Sequence, residues 1–170
     1  YARVVDNEVK SVRFMNVPSF VQELNGVVNI TDYQDISYDI AFGGAFYAIV
    51  SAEELDLECK PSNINKIINV GMEIKNAISN KVDVFHPFDK ELNFLYGTIF
   101  IDKASKKEYH SKNVCVFANG EVDRSPTGTG VSARAAVHYK RGEIKLNETL
   151  TIESILGSTF KVSVIRETNL

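Results

Sequence analysis

Asp123-Arg124-Ser125-Pro126-Thr127-Gly128-Thr129-Gly130-Val131-Ser132-Ala133-Arg134 is the stretch from which the rest of the chain is read. Ser125 and Pro126 are turn residues, two closely spaced glycines follow, and the pattern from Val131 to Arg141 predicts a helix. The first N–H groups of a helix are unpaired and carry the positive end of its dipole, so an anion sits there readily. Gly128 and Gly130 have no side chain to keep a ligand carboxylate away from the main chain, while Asp123 is suited to a positively charged nitrogen of the same ligand. A Gly-Thr-Gly before a helix is a weak signal taken alone, because such glycines more often serve turning or packing. Asp123 likewise has a structural reading, as a partner of Arg124 or a cap on the turn.

Outward from this stretch the periodicity changes along the chain. Val12 and Phe14, then Ile36, Tyr38, Ile40 and Phe42, alternate with polar neighbours and predict half-buried strands. Phe20 to Leu24, preceded by Pro18 and Ser19 and followed by Asn25-Gly26, reads as a turn or two of helix. From Ser62 the apolar spacing becomes three and four, with Ile64, Ile67, Ile68, Gly71, Ile74, Ala77 and Ile78 on one face. That is a helix entered at Pro61-Ser62 and left at Ser79-Asn80, and its isoleucine stripe needs a sheet to cover it. Val82 to His86, Asn93 to Ile101 and Asn113 to Phe117 return to strand character, with the polar stretch Lys103 to Lys112 as a solvated hairpin tip. The helix after the opening stretch should stop near Gly142, and Leu150, Ile152, Phe160, Val162 and Val164 then resume a strand pattern. The order β, helix, β, helix, β favours a mixed α+β domain over a doubly wound one, with residues 1–170 as a single domain.

Composition narrows the function classes. With 44% hydrophobic and 24% charged residues the chain follows the ordinary globular pattern. A formal net charge of −3, with Lys and Arg scattered along the chain, offers no reason to expect nucleic acid as a partner. No apolar run approaches the ~20 residues of a membrane-spanning helix, and Tyr1-Ala2-Arg3-Val4-Val5 does not read as a leader, so the expectation is a cytoplasmic protein without membrane contact. Cys59 and Cys115 suit neither a disulfide scaffold nor a metal site, and both read as inert. His110, in a polar loop, and His138, on a helix flank, each read as solvated or capping and not as catalytic. No cofactor motif is visible.

The stretch Asp123 to Arg134 resembles the second active-site motif of the proline racemase family, which includes hydroxyproline epimerases and trans-3-hydroxy-L-proline dehydratases. Asp39-Ile40-Ala41-Phe42-Gly43-Gly44-Ala45-Phe46-Tyr47-Ala48-Ile49-Val50 matches the family's glycine-pair strand region, and Ile155-Leu156-Gly157-Ser158-Thr159-Phe160 matches its segment after the second site. The racemases and epimerases carry a cysteine after the Ser-Pro pair. Here the position is Thr127, the residue that marks the dehydratase branch. The resemblance implies a diaminopimelate-epimerase-like half, a curved mixed sheet wrapped around a central helix. It also implies that this chain is one half of a two-domain enzyme whose N-terminal half, with a catalytic cysteine in a Cys-Gly-His setting, is its missing partner. A homodimer is compatible with this.

Carried over residue by residue, the resemblance makes Thr127 the catalytic position. Asp123 binds the ring nitrogen of a proline-like imino acid, and the N–H groups of Gly128 and Thr129 bind its carboxylate. Phe46 and Phe117 form apolar walls, although core packing is an equal reading for both. His86-Pro87 lies where family members often have a histidine-proline pair and is given no catalytic role. Racemisation needs an acid/base group on each face of Cα, and an alcohol is far too weak an acid to match a thiol. Thr127 therefore points to one-sided proton removal followed by loss of water. The implied product is Δ1-pyrroline-2-carboxylate, formed without a metal or organic cofactor. A proline or hydroxyproline epimerase and a non-catalytic binding relative are the alternatives.

Overall fold

A computed structural model describes residues 1–169. The isoleucine stripe forms α1 (Ile64–Ser79), entered through a 3-10 turn at Pro61–Asn63 and ended at Asn80. Its buried side is Ile67, Val70, Gly71, Ile74 and Ile78. Gly71 is there for a close approach: a methyl group on it would lie 2.8 Å from the Val116 side chain. A second helix, α2 (Gly128–Lys140), follows the opening stretch.

Ten strands accompany them. A separate hairpin of β1 (Ala2–Val5) and β2 (Glu8–Val12) precedes the main sheet. That sheet contains β3 (Phe20–Ile30), β4 (Tyr33–Phe42), β5 (Phe46–Ser51), β6 (Leu95–Asp102), β7 (Ser111–Phe117), β8 (Glu121–Val122), β9 (Thr149–Glu153) and β10 (Thr159–Ser163). Its order is β10-β9-β7-β6-β5-β4-β3, with β8 paired to β7. The β5–β6 and β7–β9 pairs are parallel and the others antiparallel. Parallel neighbours need a long crossover; α1 provides it between β5 and β6, and α2 between β7 and β9.

The two helices cover opposite faces of the sheet. Along β5, Phe46, Ala48 and Val50 pack with α1, whereas Tyr47 and Ile49 pack with α2. Helix α1 touches β3 at the edge as well as β6 and β7 in the middle, so the sheet curls around it. The fold is thus of the expected α+β class, with a mixed, curved sheet around a central helix.

Four local expectations are corrected. Phe20 to Leu24 is not helix but the start of β3, where Phe20 stands opposite Phe42 and stacks on it at 5.2 Å. The Asn25-Gly26 pair, read as a terminator, lies at a register shift within β3, with Asn25 at φ 57°. Val82 to His86 lies in no strand, since Asp83 O and Phe85 N–H bond the Gln22 side chain instead of a strand backbone. Helix α2 begins at Gly128 instead of Val131, so the glycines form its first turn; Gly142, at φ 73°, follows its end as expected.

Candidate active site

Short bonds tie the chain into a corner just before α2. The Asp123 N–H donates to Cys115 O at 3.1 Å, and Asp123 Oδ1 accepts the Ser125 N–H at 2.8 Å. Ser125 Oγ in turn accepts the Thr127 N–H at 3.1 Å. No ion pair joins Asp123 to Arg124 among the described residues; the carboxylate caps the turn with one oxygen and stays half-buried. The corner closes at Thr127 with φ 67° and ψ 102°. A β-branched residue is strained at positive φ, at a cost of about 1–3 kcal/mol.

Threonine before a helix usually caps it through its hydroxyl. Thr127 makes no such bond, so the first-turn N–H groups of α2 are left open. Its side chain is 6% exposed, and its Oγ1 is buried without a hydrogen-bond partner. The Cys115 thiol is a neighbour, but the two groups fall short of hydrogen-bond geometry. Burial pushes that thiol up to about 12, an effect that the Thr127 hydroxyl only partly opposes. Cys115 is therefore inert, as expected.

Beside the corner lies a cavity of about 310 Å³ whose lining includes Gly44, Tyr47, Phe94, Tyr96 and Thr129. Thr129 Oγ1 and the Tyr47 hydroxyl lie 2.7 Å apart. Burial raises the Tyr47 pKa well above its ordinary value, so this phenol stays protonated. Tyr96 meets Tyr47 edge-on at 5.8 Å and stacks on Phe117 at 5.3 Å. Phe117 therefore belongs to an aromatic wall on the α2 face. Close approach of the helix depends on Gly43, because a Cβ there would lie 2.2 Å from Thr129 O.

Phe46 is not part of this wall. It is 0% exposed and packs with Phe20 and Phe42 on the α1 face. Strand alternation is the reason: successive side chains point to opposite faces, so Tyr47 is at the cavity and Phe46 is in the core. Sequence reading missed Tyr47, Phe94 and Tyr96. Parity along β5 and β6 was the signal that could have found Tyr47 and Tyr96.

The remaining candidates resolve as follows. His86 is half-buried, packs on Phe42 at 4.7 Å, and its Nδ1 accepts the Asp89 N–H at 3.1 Å, a structural role. Cys59 is buried, which pushes its thiol up to about 12. His138 is not solvated: its side chain is 13% exposed and lies between Glu143 (2.5 Å) and Arg134 (3.4 Å). Among the described residues no group of three or more His, Cys, Asp or Glu could hold a metal ion. No helix there is long and apolar enough to cross a membrane.

Of the residues singled out in the sequence, Thr129 lines this cavity; Asp123, Thr127 and Gly128 form the corner that leads to it, and Phe117 stands behind Tyr96. The chain belongs to the proline racemase family: the family model described as Proline racemase matches residues 1–170. It is 50% identical over 160 residues to a trans-3-hydroxy-L-proline dehydratase of Colwellia psychrerythraea, covering 94% of this chain and 45% of that protein. To a 3-hydroxyproline 2-epimerase of Burkholderia multivorans it is 42% identical, covering 94% of this chain and 48% of that protein. A hydroxyproline epimerase from Agrobacterium vitis, solved with bound trans-4-hydroxy-L-proline, superposes with a TM-score of 0.93 at 32% identity. That match covers 99% of this chain and 48% of the epimerase. The chain thus spans about half the length of the relatives it matches.

Proposed function

We propose that this chain supplies the Thr127-bearing half of a cofactor-independent trans-3-hydroxy-L-proline dehydratase. The observation that carries this reading is the Thr127 hydroxyl, strained at positive φ and buried without a partner beside the open first turn of α2. The 50% identity to a protein of that name supports the substrate.

Asp123 accepts the ring N–H of the substrate, and the N–H groups of Gly128 and Thr129 hold its carboxylate. Those donors stabilise the charge that grows there when Cα loses its proton, in the way of an oxyanion hole, each contributing roughly 3 kcal/mol. Phe117 and Tyr96 wall the ring. The base is a thiol on the other half. It takes the Cα proton, the electron pair forms a Cα–C3 double bond, and the C3–O bond breaks. The departing hydroxide takes up the proton held by the thiol, so water leaves and the thiolate is restored, and the enamine tautomerises to Δ1-pyrroline-2-carboxylate. An alcohol at residue 127 returns no proton to Cα, so elimination wins over inversion. The isolated chain, lacking a base, turns nothing over.

The test is the full-length protein with trans-3-hydroxy-L-proline, followed for Δ1-pyrroline-2-carboxylate. Formation of that product by the whole protein, and none by this chain alone, is the expected result. Inversion at Cα, with deuterium incorporation and no loss of water, would instead assign the protein to the epimerases.

A further inference from the structure

Arg134 is 1% exposed, and no carboxylate of the described residues lies within ion-pair distance of it. A buried charge without a counter-ion is expensive, so its presence asks for a reason. Desolvation pushes the guanidinium down to about 10, which still leaves it charged at neutral pH. Its bonds run to the strand beneath: one NH2 donates to Ser111 Oγ at 2.7 Å and the other to Asn113 Oδ1 at 3.3 Å. Asn113, 0% exposed, in turn donates from Nδ2 to Pro126 O at 2.8 Å. The amide can face only one way, since the guanidinium only donates and a proline carbonyl only accepts.

The Pro126 carbonyl and the Thr127 N–H are the two ends of one rigid peptide plane. Asn113 holds the first end and Ser125 Oγ the second. The next carbonyl, that of Thr127, is held by the Val131 N–H at 2.8 Å. Thr127 is therefore a joint between pinned units, and its φ of 67° is imposed from both sides.

We infer that Asn113 and Arg134 are positioning residues: Asn113 fixes the Pro126–Thr127 peptide, and Arg134 locks the Asn113 amide. Together they aim residue 127 and the Gly128 and Thr129 N–H groups at the substrate. This rests on the reading of Thr127 as lying at the reacting carbon. Neither residue touches substrate. A displacement of the corner by even 1 Å is enough to slow a reaction by about 100-fold.

Asn113→Asp in the full-length protein separates positioning from stability. The carboxylate gives Arg134 a counter-ion in the same place but puts an oxygen against Pro126 O. The melting temperature should stay at or above that of the unmodified protein, while kcat/KM falls about tenfold or more. Affinity for pyrrole-2-carboxylate, measured by calorimetry, should weaken in parallel. Ser125→Ala releases the other end of the same plane from a half-buried turn and should lower kcat/KM similarly with little change in melting temperature; it carries the test if Asn113→Asp does not fold. Either folded variant with unchanged kcat/KM and unchanged pyrrole-2-carboxylate affinity overturns the inference. Calorimetry keeps this distinct from the assigned reaction: an unmodified protein that makes no Δ1-pyrroline-2-carboxylate sinks the dehydratase reading, whereas the binding comparison still decides the positioning one.

Discussion

The two faces of the sheet differ in kind. On the α1 side Ile40, Phe46, Ile67, Ile74, Ile78 and Phe100 are 0% exposed, and the buried Thr98 satisfies its hydroxyl on Gly71 O at 2.9 Å. On the α2 side lie Ser111, Asn113, Thr127 and Arg134, with both of the buried side-chain atoms that lack a partner among the described residues, Thr127 Oγ1 and Arg134 Nε. The same strands serve both, because alternate residues point opposite ways. Apolar burial, with the Thr98 hydroxyl satisfied, makes the α1 face a source of stability. Strain and uncompensated polarity on the other are tolerated only because that stability exists, and they gather around the start of α2.

The thiols offer the largest contrast to test, since Cys59 packs in the α1-side cluster and Cys115 in the α2-side one. Both are held up to about 12 by burial. Neither should react with iodoacetamide in the folded protein at pH 8, with protection of about 1000-fold over a free cysteine. In mild urea Cys115 should label first; labelling of Cys59 first would break the contrast. The raised values also mean that both thiols favour the fold fully below their unfolded pKa of about 8.5, and that this stability is lost as pH rises towards 12.

Ile74→Ala, on the dry face, should cost about 3 kcal/mol of unfolding free energy by denaturant titration. Activity per folded molecule should stay close to unmodified, and a selective loss of kcat would show that α1 does more than support. Asp123→Asn keeps the oxygen that caps Ser125 but removes the charge offered to the substrate nitrogen. Here kcat/KM should fall about 100-fold with an unchanged melting temperature, the reverse of Ile74→Ala. The smallest effect belongs to Thr127→Gly, which relieves the positive φ and removes the orphan hydroxyl. Stability should rise by about 1 kcal/mol while turnover drops about fivefold. A fall in stability would mean that the corner stores no strain.

Much of this was legible in the residues. The three- and four-residue isoleucine spacing needs only local geometry, and it located α1 to within a residue or two. Thr127 and its flanking glycines were visible because an anion-accepting helix start has a short, contiguous signature. Phe20 to Leu24 was misread because five residues carry too little period to outweigh a strand partner such as Phe42, which lies far along the chain. Phe46, equally a pocket wall or a core residue in the sequence, is core, and the choice was open for a related reason: which parity looks at α2 depends on register with β4 and β6.

The sequence by itself determined the family, the α+β order, the central helix and the alcohol at residue 127, all of which are written in contiguous residues. Only the tertiary structure decided that Tyr47 and not Phe46 reaches the cavity, that His138 is enclosed, and that Arg134 and Asn113 stand behind Pro126. Those facts depend on which distant residues share one face of a curved sheet, and hydrogen-bond partners across such distances leave no periodic trace in the chain.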